Sequence, residues 1–430
     1  MEYNEDKKWF DGVTWVHVCT EAGNNITKIP CIVDVYSNEI EQTVDGVYEL
    51  KLGLLLVFPI GIVFDILSRL PVEDLIRGRI ICKSWYKLTK DPYFIHLQVS
   101  KTIHRPCCFL LQQTTVNSEK KLVLIDSEND KWRSKEISLE GFNQDNIRLS
   151  NSCNGLICVS SNGRGLVIYN LLTKESLPLP NSDYKPHHSF PCTISGFALG
   201  FDSLNKKYKV VRVYNIYHDV EALKFHTKAE VITLGESSWR MLNFPHKVTT
   251  SSIEKPVFLN GALHWLLHRE KDCSHLEYVL AFDCMKETFE TINLPPVEMP
   301  ENLDLINLGD TLALSELGRF NCDVNVLRIW QIVGSRRDGG RLCQYSFDKS
   351  FIHGHFNQEL HLQGMLSNGD FLYKALETGN VGASFGTLRY HLVCYCPQKK
   401  TGFSLEVPDI PISFRSTLFV PSLASPNILS

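Results

Sequence analysis

The sequence has no strong excess of either charge. Its 430 residues include 44 Lys and Arg against 48 Asp and Glu, a formal net charge of −4. Nucleic-acid-binding proteins usually carry a basic excess or a basic stripe, and a polybasic membrane patch needs a run of like charges. Neither is present, so we expect no nucleic-acid and no membrane partner. Apolar residues make up 43% and charged residues 21%, which excludes a disordered or fibrous chain.

Cysteine is present, but not in the patterns of a disulfide scaffold or a zinc site. The chain has 14 Cys residues, and no two have the spacing C-x-x-C. The start, Met-Glu-Tyr-Asn-Glu-Asp, has no basic segment leading into an apolar one, so no secretory signal peptide is expected. These features predict a reduced protein with free thiols, located in the cytoplasm, the nucleus or both.

Long hydrophobic runs are also lacking. The segment from Leu52 to Phe64 carries no charge, but it has 13 residues and contains Pro59. A helix needs roughly 20 apolar residues to cross a bilayer. This segment therefore predicts a buried helix.

Motifs that carry chemistry are missing as well. The sequence contains no G-x-S-x-G, Walker loop, G-x-G-x-x-G or H-E-x-x-H. His353 and His355, with His361 further on, offer imidazoles, but a metal site needs more ligands and a second shell. We therefore predict no metal and no cofactor.

Three segments imitate, in order, the motifs of penicillin-recognising serine hydrolases: Ser84-Trp-Tyr-Lys87, Ser152-Cys-Asn154 and Lys400-Thr-Gly402. Ser84 lies in a helical segment apart from the other two. Lys400 and Thr401 occupy a hairpin turn that recurs in a repeat. We therefore predict no catalytic residue.

Residues 58–100 have the apolar spacing of short helices. Apolar side chains recur three and four apart before Pro71 and again after it, and Asp91-Pro92 predicts an N-cap followed by a first-turn proline. Four such helices make a bundle too small to be comfortably stable alone. Residues 1–57 show no clean period. A strand over Cys31–Tyr36 has no evident partner, so this part is an extension of unknown structure.

From about residue 104 onward, short β segments alternate with Asn-Gly and Gly-Asp turns. An internal repeat joins an apolar strand, a polar turn with Thr or Lys, and a strand ending near Leu-Pro. The six anchor positions of the repeat are Ile125, Tyr169, Leu234, Phe282, Trp330 and Tyr395. Their spacing fits propeller blades of about 40–50 residues with inserted loops.

This repeat predicts a kelch-like, all-β propeller over residues 104–420. About six blades are visible, and seven would result if the terminal strands added a composite blade. A large β-sandwich is the alternative, although it does not require a period. Inserted loops are predicted near 181–192, 215–228, 334–341 and 376–388.

Together, the small all-α module and the propeller resemble plant F-box proteins that carry a kelch-like F-box associated domain. The resemblance covers roughly residues 58–410. In the helical module it is carried by Phe58-Pro59, Ile66-Leu-Ser-Arg-Leu-Pro71, Leu75-Ile76-Arg77 and Ile81-Cys-Lys-Ser-Trp85. In the propeller it is carried by Ser152–Cys158, Gly196–Phe201, Ser238–Arg240 and Val257–Trp265. The helical blocks are specific because both their content and their spacing agree.

The resemblance implies the substrate-recognition subunit of an SCF-type ubiquitin ligase, which is not itself catalytic. The F-box would dock on a Skp-type linker protein and through it on cullin, while the propeller binds a target protein. The implied linker-binding residues are Phe58, Pro59, Ile62, Ile66, Leu67, Leu70, Pro71, Leu75, Ile76, Ile81, Cys82 and Trp85.

Three departures from the family pattern keep a second interpretation open. Phe58 replaces the usual Leu, Gly61 lies early in the first helix, and Gly78 occupies a mid-helix position that is usually large and apolar. Gly there costs about 1 kcal/mol relative to Ala. The alternative is a propeller interaction module with a weakened F-box, acting outside a ligase.

Target binding is predicted in the inserted loops, at one mouth of the propeller. Phe190 lies on the proline-stiffened segment Pro186–Pro191. Arg336 and Arg337 offer paired guanidinium groups, which can hold a carboxylate or phosphate bidentately.

Overall fold

The computed structural model divides the chain into two compact units, residues 1–102 and 103–430. The residues that it describes are 13–19, 26–32, 60–80, 83–102, 108–113, 122–128, 131–139, 142, 147–161, 164–182, 192–219, 224–244, 256–267, 278–295, 297, 303–308, 311–320, 324–337, 341–356, 360–366, 369–376, 390–396, 398–399, 401–407 and 414–427. Among these residues, no helix is both long enough and apolar enough to cross a membrane.

The first unit contains a β-hairpin that the sequence analysis did not identify. Strands β1 (Val13–Cys19) and β2 (Ile26–Ile32) pair antiparallel, with Val13 opposite Ile32 and Cys19 opposite Ile26. The expectation of an unpartnered strand beginning at Cys31 was therefore wrong. The strand begins earlier, and its partner is β1, a segment with several β-branched residues that favour strands.

The four predicted helices are confirmed. They are α1 (Ile60–Leu67), α2 (Val72–Gly78), α3 (Lys83–Leu88) and α4 (Pro92–Thr102). Asp91 is the N-cap of α4, because its side chain accepts a hydrogen bond from the backbone N–H of Phe94 at 2.9 Å. Pro92 takes the first helical position, where its missing N–H costs nothing.

The second unit consists of six four-stranded antiparallel sheets. Blade 1 contains β3 (Cys108–Gln113), β4 (Leu122–Glu128) and β5 (Lys131–Ile137). Blade 2 contains β6 (Ile147–Cys153), β7 (Leu156–Ser161), β8 (Arg164–Asn170) and β9 (Ser176–Pro178). Blade 3 contains β10 (Cys192–Asp202), β11 (Lys207–Asp219), β12 (Lys224–Thr233) and β13 (Arg240–Leu242).

The remaining blades follow the same order. Blade 4 contains β14 (Val257–Leu259), β15 (Ala262–Leu267), β16 (Tyr278–Asp283) and β17 (Thr288–Asn293). Blade 5 contains β18 (Leu303–Leu308), β19 (Thr311–Phe320), β20 (Val324–Arg337) and β21 (Arg341–Phe356). Blade 6 contains β22 (Leu360–Met365), β23 (Phe371–Leu376), β24 (Tyr390–Cys396) and β25 (Thr401–Ser404).

The last strand closes the ring. Strand β26 (Phe414–Phe419) pairs with β3 and supplies the first strand of blade 1. The composite blade is thus one of six, and the fold is a six-bladed propeller. Every repeat anchor lies in or just after the third strand of its blade. The reason is burial: the third strand packs between neighbouring sheets, and Ile125, Tyr169 and Phe282 are all buried there.

The core of the propeller lies between neighbouring blades. Val211 and Val231 of blade 3, for example, pack in one cluster with Leu263, Trp265 and Phe282 of blade 4. Each blade therefore depends on both neighbours to cover its apolar faces.

The C-terminal segment after β26 is also buried in the propeller. Asn170, at the end of β8, donates hydrogen bonds from its side-chain amide to the backbone carbonyls of Ser422 (3.1 Å) and Ala424 (2.7 Å). The Ser422 hydroxyl bonds to the Asn154 carbonyl. Residues 420–427 thus join the last strand to blade 2 as well as to blade 1.

Strand order gives the propeller two distinct ends. Because consecutive strands run antiparallel, the turns between first and second strands and between third and fourth strands lie at one end, which we name the turn face. The links between second and third strands, and between blades, lie at the opposite end, which we name the connection face. The described turns of the turn face include 154–155, 203–206, 234–238, 260–261 and 284–287.

One buried histidine predicts a pH dependence of stability. His264 on β15 is 4% exposed, and burial lowers its pKa from 6.5 to about 4. Between these values the unfolded chain binds the proton more readily than the folded chain, so the free energy of unfolding should fall as pH drops from 6.5 to 4. The full loss is about 3 kcal/mol.

Urea unfolding at pH 7 and pH 4.5 measures this loss. Carboxylates also titrate in this range, so the test compares how much the free energy of unfolding of each protein falls between the two pH values. His264→Gln should lose less stability on acidification than the unmodified chain does. The exposed His226 provides a matched control, and His226→Gln should keep the original pH dependence. Equal pH dependence in the His264 variant would contradict the assignment.

Candidate functional site

The predicted linker-binding residues divide into a core group and a surface group. Leu67, Leu75 and Trp85 are buried within the helical module. The surface group comprises Ile62, Ile66 and Pro71, which are exposed, with Leu70 and Ile76, which are half-buried. Phe58, Pro59, Ile81 and Cys82 lie outside the described residues.

The surface group has an ordered geometry on α1. Ile62 and Ile66 lie one turn apart on the same side of the helix and are 47% and 36% exposed. Val63 and Leu67, each the next residue along the helix, face the core and are buried. The helix therefore has apolar side chains on two sides, but the module covers only one of them.

Trp85 is the structural centre of the module. Its ring is buried, and its indole N–H donates a hydrogen bond to the Leu75 carbonyl at 3.1 Å, which links α3 to α2. Trp85 thus supports the surface group indirectly, through its packing in the core of the module.

Gly78 makes room for this tryptophan. A Cβ placed on Gly78 would lie 2.1 Å from the Trp85 Nε1 atom and 2.4 Å from its Cε2 atom. Gly78 is also the last residue of α2, so the expectation of a mid-helix position was wrong, whereas its effect on linker binding stays a prediction. The missing side chain is what allows the indole to pack against the helix end.

Asp65 connects the first and last helices. Its carboxylate accepts hydrogen bonds from Lys101 on α4 and from Arg69, the latter at 3.0–3.3 Å, and its carbonyl accepts from Lys101 at 3.1 Å. The Lys101 hydrogen bond, followed by that of Arg69, lowers the pKa of Asp65. Because Asp65 is half exposed, these contacts orient the helices more than they stabilise them.

Three further exposed apolar side chains belong to this module but were not among the predicted linker-binding residues. They are Ile80, Tyr86 and Tyr93. Tyr93 stacks on Phe64 at a centroid distance of 5.9 Å, next to an edge-to-face pair between Phe64 and Phe94. Helical spacing alone marks them as apolar, and only packing shows that they remain uncovered.

Of the residues predicted to bind the target, Arg336 and Arg337 lie in a described strand. Phe190 lies outside the described residues. Arg336 and Arg337 end β20, whose turn to β21 belongs to the turn face. Target binding at a single mouth of the propeller stays a prediction.

The insertion predicted at 334–341 is mostly strand. The pairing of β19 with β20 ends at Leu312 and Ile332, whereas the pairing of β20 with β21 continues to Arg337 and Arg341. The residues beyond Ile332 form a two-stranded extension, which we name the blade 5 ribbon (333–337 and 341–346). Similarly, much of the insertion predicted at 215–228 belongs to β11 and β12.

Two turns of the turn face are joined by a buried ammonium group. Lys209 Nζ donates to the Cys284 carbonyl (2.6 Å) and contacts carboxylate oxygens of Glu287 (2.9 Å) and Asp202 (3.4 Å). Arg240 adds a bidentate pair to Glu287. Its hydrogen bonds and those of Lys209 lower the pKa of Glu287, so the carboxylate stays charged and paired.

The three segments that imitate serine-hydrolase motifs do not all belong to one unit. Ser84 belongs to the first unit, whereas Ser152 on β6 and Gly402 on β25 belong to the second. His353 and His355 lie on β21, and His361 on β22 is 3.3 Å from an Asp304 carboxylate oxygen. Among the described residues, no group of three or more His, Cys, Asp or Glu is arranged to hold a metal ion.

With this geometry in place, two family models match the chain. The F-box-like model matches residues 57–102, and the F-box associated beta propeller domain model matches residues 107–418, well over half of the sequence. The chain belongs to the F-box proteins with an F-box associated β-propeller. The resemblance inferred from the sequence is confirmed. Members of this family are generally non-catalytic adaptors, and their F-box implies binding to a Skp-type linker.

Similar proteins agree with this family. An F-box protein of Arabidopsis thaliana is 31% identical over 258 residues, which cover 56% of this chain and 65% of that protein. A second Arabidopsis thaliana F-box protein is 26% identical, with 68% and 74% covered. An F-box/LRR-repeat/kelch-repeat protein from the same plant is 24% identical, with 67% and 77% covered.

Proposed function

We propose that this F-box protein is the substrate-recognition subunit of an SCF-type ubiquitin ligase. The F-box docks on a Skp-type linker and through it on cullin, while the propeller binds a protein target for ubiquitination. The observation that carries the proposal is the uncovered side of α1. The module completes its own core and still leaves Ile62 and Ile66 in solvent, as expected for a helix that packs into the groove of a partner.

The double variant Ile62→Ser, Ile66→Ser tests the docking surface. Removing two interface anchors should weaken linker binding about 100-fold, which corresponds to 2–3 kcal/mol. Because both side chains are largely exposed, the folded structure of the chain should not change. Isothermal titration of the full chain with a Skp-type linker measures the affinity.

The exposed His96 on α4 provides the control for this experiment. His96→Ala should bind the linker with unchanged affinity. Circular dichroism of all three proteins confirms that they are folded. Unchanged binding by the double variant would contradict the docking surface, and no binding by the unmodified chain would contradict the adaptor role itself.

The alternative is a propeller module that acts outside a ligase with a weakened F-box, and the packing of Gly78 favours the adaptor role over it. Gly78 was the strongest sign of weakening, and in the structure it accommodates Trp85. The adaptor role needs no catalytic residue in this chain, because the transfer of ubiquitin takes place on other subunits. It also fits the predicted location in the cytoplasm, the nucleus or both, where thiols stay reduced; the described cysteines, such as Cys153 and Cys284, are free.

A further inference from the structure

We propose that the turn face of blade 4 binds an extended segment of the target that carries a small residue and, two residues further on, an arginine or lysine. This inference rests on the proposed role as a target receptor, and it names one site and one chemical class of segment. Blade 2 already holds an extended segment of this same chain. Blade 4 repeats the geometry of that site and leaves it uncovered.

Blade 2 binds the C-terminal segment of the chain through two turns. In the turn between β6 and β7, the Asn154 carbonyl accepts a hydrogen bond from the Ser422 hydroxyl. A Cβ added to Gly155 would lie 2.3 Å from the Ser422 Oγ atom, so the segment lies directly against this glycine. In the turn after β8, the Asn170 amide donates to the carbonyls of Ser422 and Ala424. The segment is thus held through its backbone and one small side chain.

Blade 4 repeats the first of these turns. Asn260 and Gly261 join the first and second strands of blade 4, as Asn154 and Gly155 do in blade 2. The φ angles of the two residues are 50° and 79° in blade 2, and 51° and 80° in blade 4. Positive φ at both positions defines a type I′ turn, which Asn-Gly favours. The two turns therefore present the same backbone surface.

Blade 4 also repeats the second turn. Asn170 ends β8, and Asp283 ends β16. Each side chain accepts hydrogen bonds from the backbone N–H groups two and three residues further on, at 2.9 and 3.2 Å in blade 2 and at 2.9 and 3.0 Å in blade 4. A residue with positive φ follows in both turns, Lys174 at 62° and Glu287 at 57°. Because these bonds fix the turns in advance, an occupant orders little protein backbone when it binds.

The site on blade 4 is uncovered. No described atom lies within 4 Å of a Cβ added to Gly261, whereas Ser422 fills the same place at Gly155. Met285 is 41% exposed, while Leu172, at the same position in blade 2, is half-buried. Since the same backbone geometry holds an extended segment in blade 2, the blade 4 site has the shape to accept one from a partner.

One difference between the blades sets the chemistry of the occupant. Asn170 donates N–H groups to two carbonyls, but the Asp283 carboxylate has no N–H and can only accept. A segment with an arginine or lysine at this point would donate to it. Lys286 approaches the same carboxylate only at 3.4 Å, longer than the roughly 2.7–2.9 Å of a charge-assisted hydrogen bond. A partner's guanidinium group can therefore make the closer contact.

Four fluorescein-labelled hexapeptides test the site. One copies residues 421–426, Pro-Ser-Leu-Ala-Ser-Pro, and the others carry Arg, Gln or Glu in place of the Ala. Fluorescence anisotropy is measured with the full chain bound to its Skp-type linker. The unmodified chain should bind the Arg peptide about tenfold more tightly than the other three, because only its side chain can donate a charge-assisted hydrogen bond to Asp283.

The variant Asp283→Asn should exchange this preference. It gives blade 4 the amide that Asn170 supplies in blade 2, so the Ala peptide should bind about tenfold more tightly and the Arg peptide about tenfold more weakly. The turn should stay intact, because Asn170 accepts the same pair of backbone hydrogen bonds. Gly261→Asn should weaken binding of the Arg peptide about tenfold, since the new side chain takes the place of the small residue. Asn tolerates the positive φ at this position.

The matched control is Gly369→Asn, in the turn before β23 of blade 6. Gly369 also has a positive φ, 85°, and no described atom lies within 4 Å of a Cβ added there. The third strand of this blade, however, ends at Cys396 and not at an Asn or Asp. This variant should bind all four peptides as the unmodified chain does. Melting temperatures of all the variants show that they are folded.

Several results would overturn the proposal. They are equal binding of the Arg and Ala peptides, no measurable binding of the Arg peptide, tighter binding of the Glu peptide, an unchanged preference in Asp283→Asn, and an equal loss in Gly369→Asn. Linker binding is measured on the same samples. If the unmodified chain does not bind the linker, the proposed adaptor role fails. If linker binding persists while the peptide results are negative, only the blade 4 site is wrong.

Discussion

Replacing Gly78 by alanine should unfold the F-box helices and abolish linker binding, whereas replacing Gly61 by alanine should stabilise them. The added methyl group at position 78 overlaps the buried Trp85 ring at 2.1 Å and breaks its hydrogen bond to Leu75. At position 61 no atom lies within 4 Å of the added methyl group. There, only the gain in helix propensity remains, roughly 0.5–1 kcal/mol.

Hydrogen exchange on the full chain separates these outcomes. Gly78→Ala should remove protection from residues 60–102 while the propeller strands stay protected. Gly61→Ala should raise the protection of α1. Trp85→Ala should resemble Gly78→Ala, because deleting a buried Trp costs about 3–5 kcal/mol and the module is small. A protected F-box in the Gly78 variant would show that the indole has room to move and that its packing is not essential.

Deleting residues 414–430 should leave a propeller that is insoluble or sensitive to protease. The deletion removes β26, which exposes the edge of β3 and the apolar cluster containing Phe109, Leu111 and Phe414. It also leaves the buried side-chain amide of Asn170 without the carbonyls of Ser422 and Ala424. An opened ring loses packing at blades 1, 2 and 6 together, so the whole unit should lose its cooperative unfolding.

Two milder truncations serve as controls. Stopping after Asn427 removes none of the described contacts and should leave the melting temperature unchanged. Stopping after Phe419 keeps β26 but removes the hydrogen bonds to Asn170, and this should lower stability without destroying the fold, since unsatisfied buried polar groups cost about 1–3 kcal/mol each. A soluble deletion of 414–430 with one sharp transition would show that the blades do not depend on ring closure.

Many helix ends and strand positions were predictable because the sequence signals for them are local. The caps and breaks at Pro71 and Asp91 set helix ends, and both were identified in advance. The repeat anchors were found because a strand buried on both sides needs an apolar residue at the same place in each blade, as Tyr169 and Phe282 show. The hairpin β1–β2 was missed, although Gly23-Asn24-Asn25 between Cys19 and Ile26 is a turn signal, because the segment before it was not recognised as a strand.

By itself, the sequence determined the two domain types, the number of visible repeats and the set of apolar residues in the F-box. Only the tertiary structure decided which of these residues form a surface, since Ile66 and Leu67 are equally apolar and differ solely in the helix that packs against them. It also showed that Gly78 leaves room for the indole ring of Trp85, seven residues further along the chain. Finally, it placed the end of β20, which carries Arg336, at the turn face. The end of a propeller to which a strand end belongs follows from the parity of the strands around it, and that parity exists only once all six blades are paired.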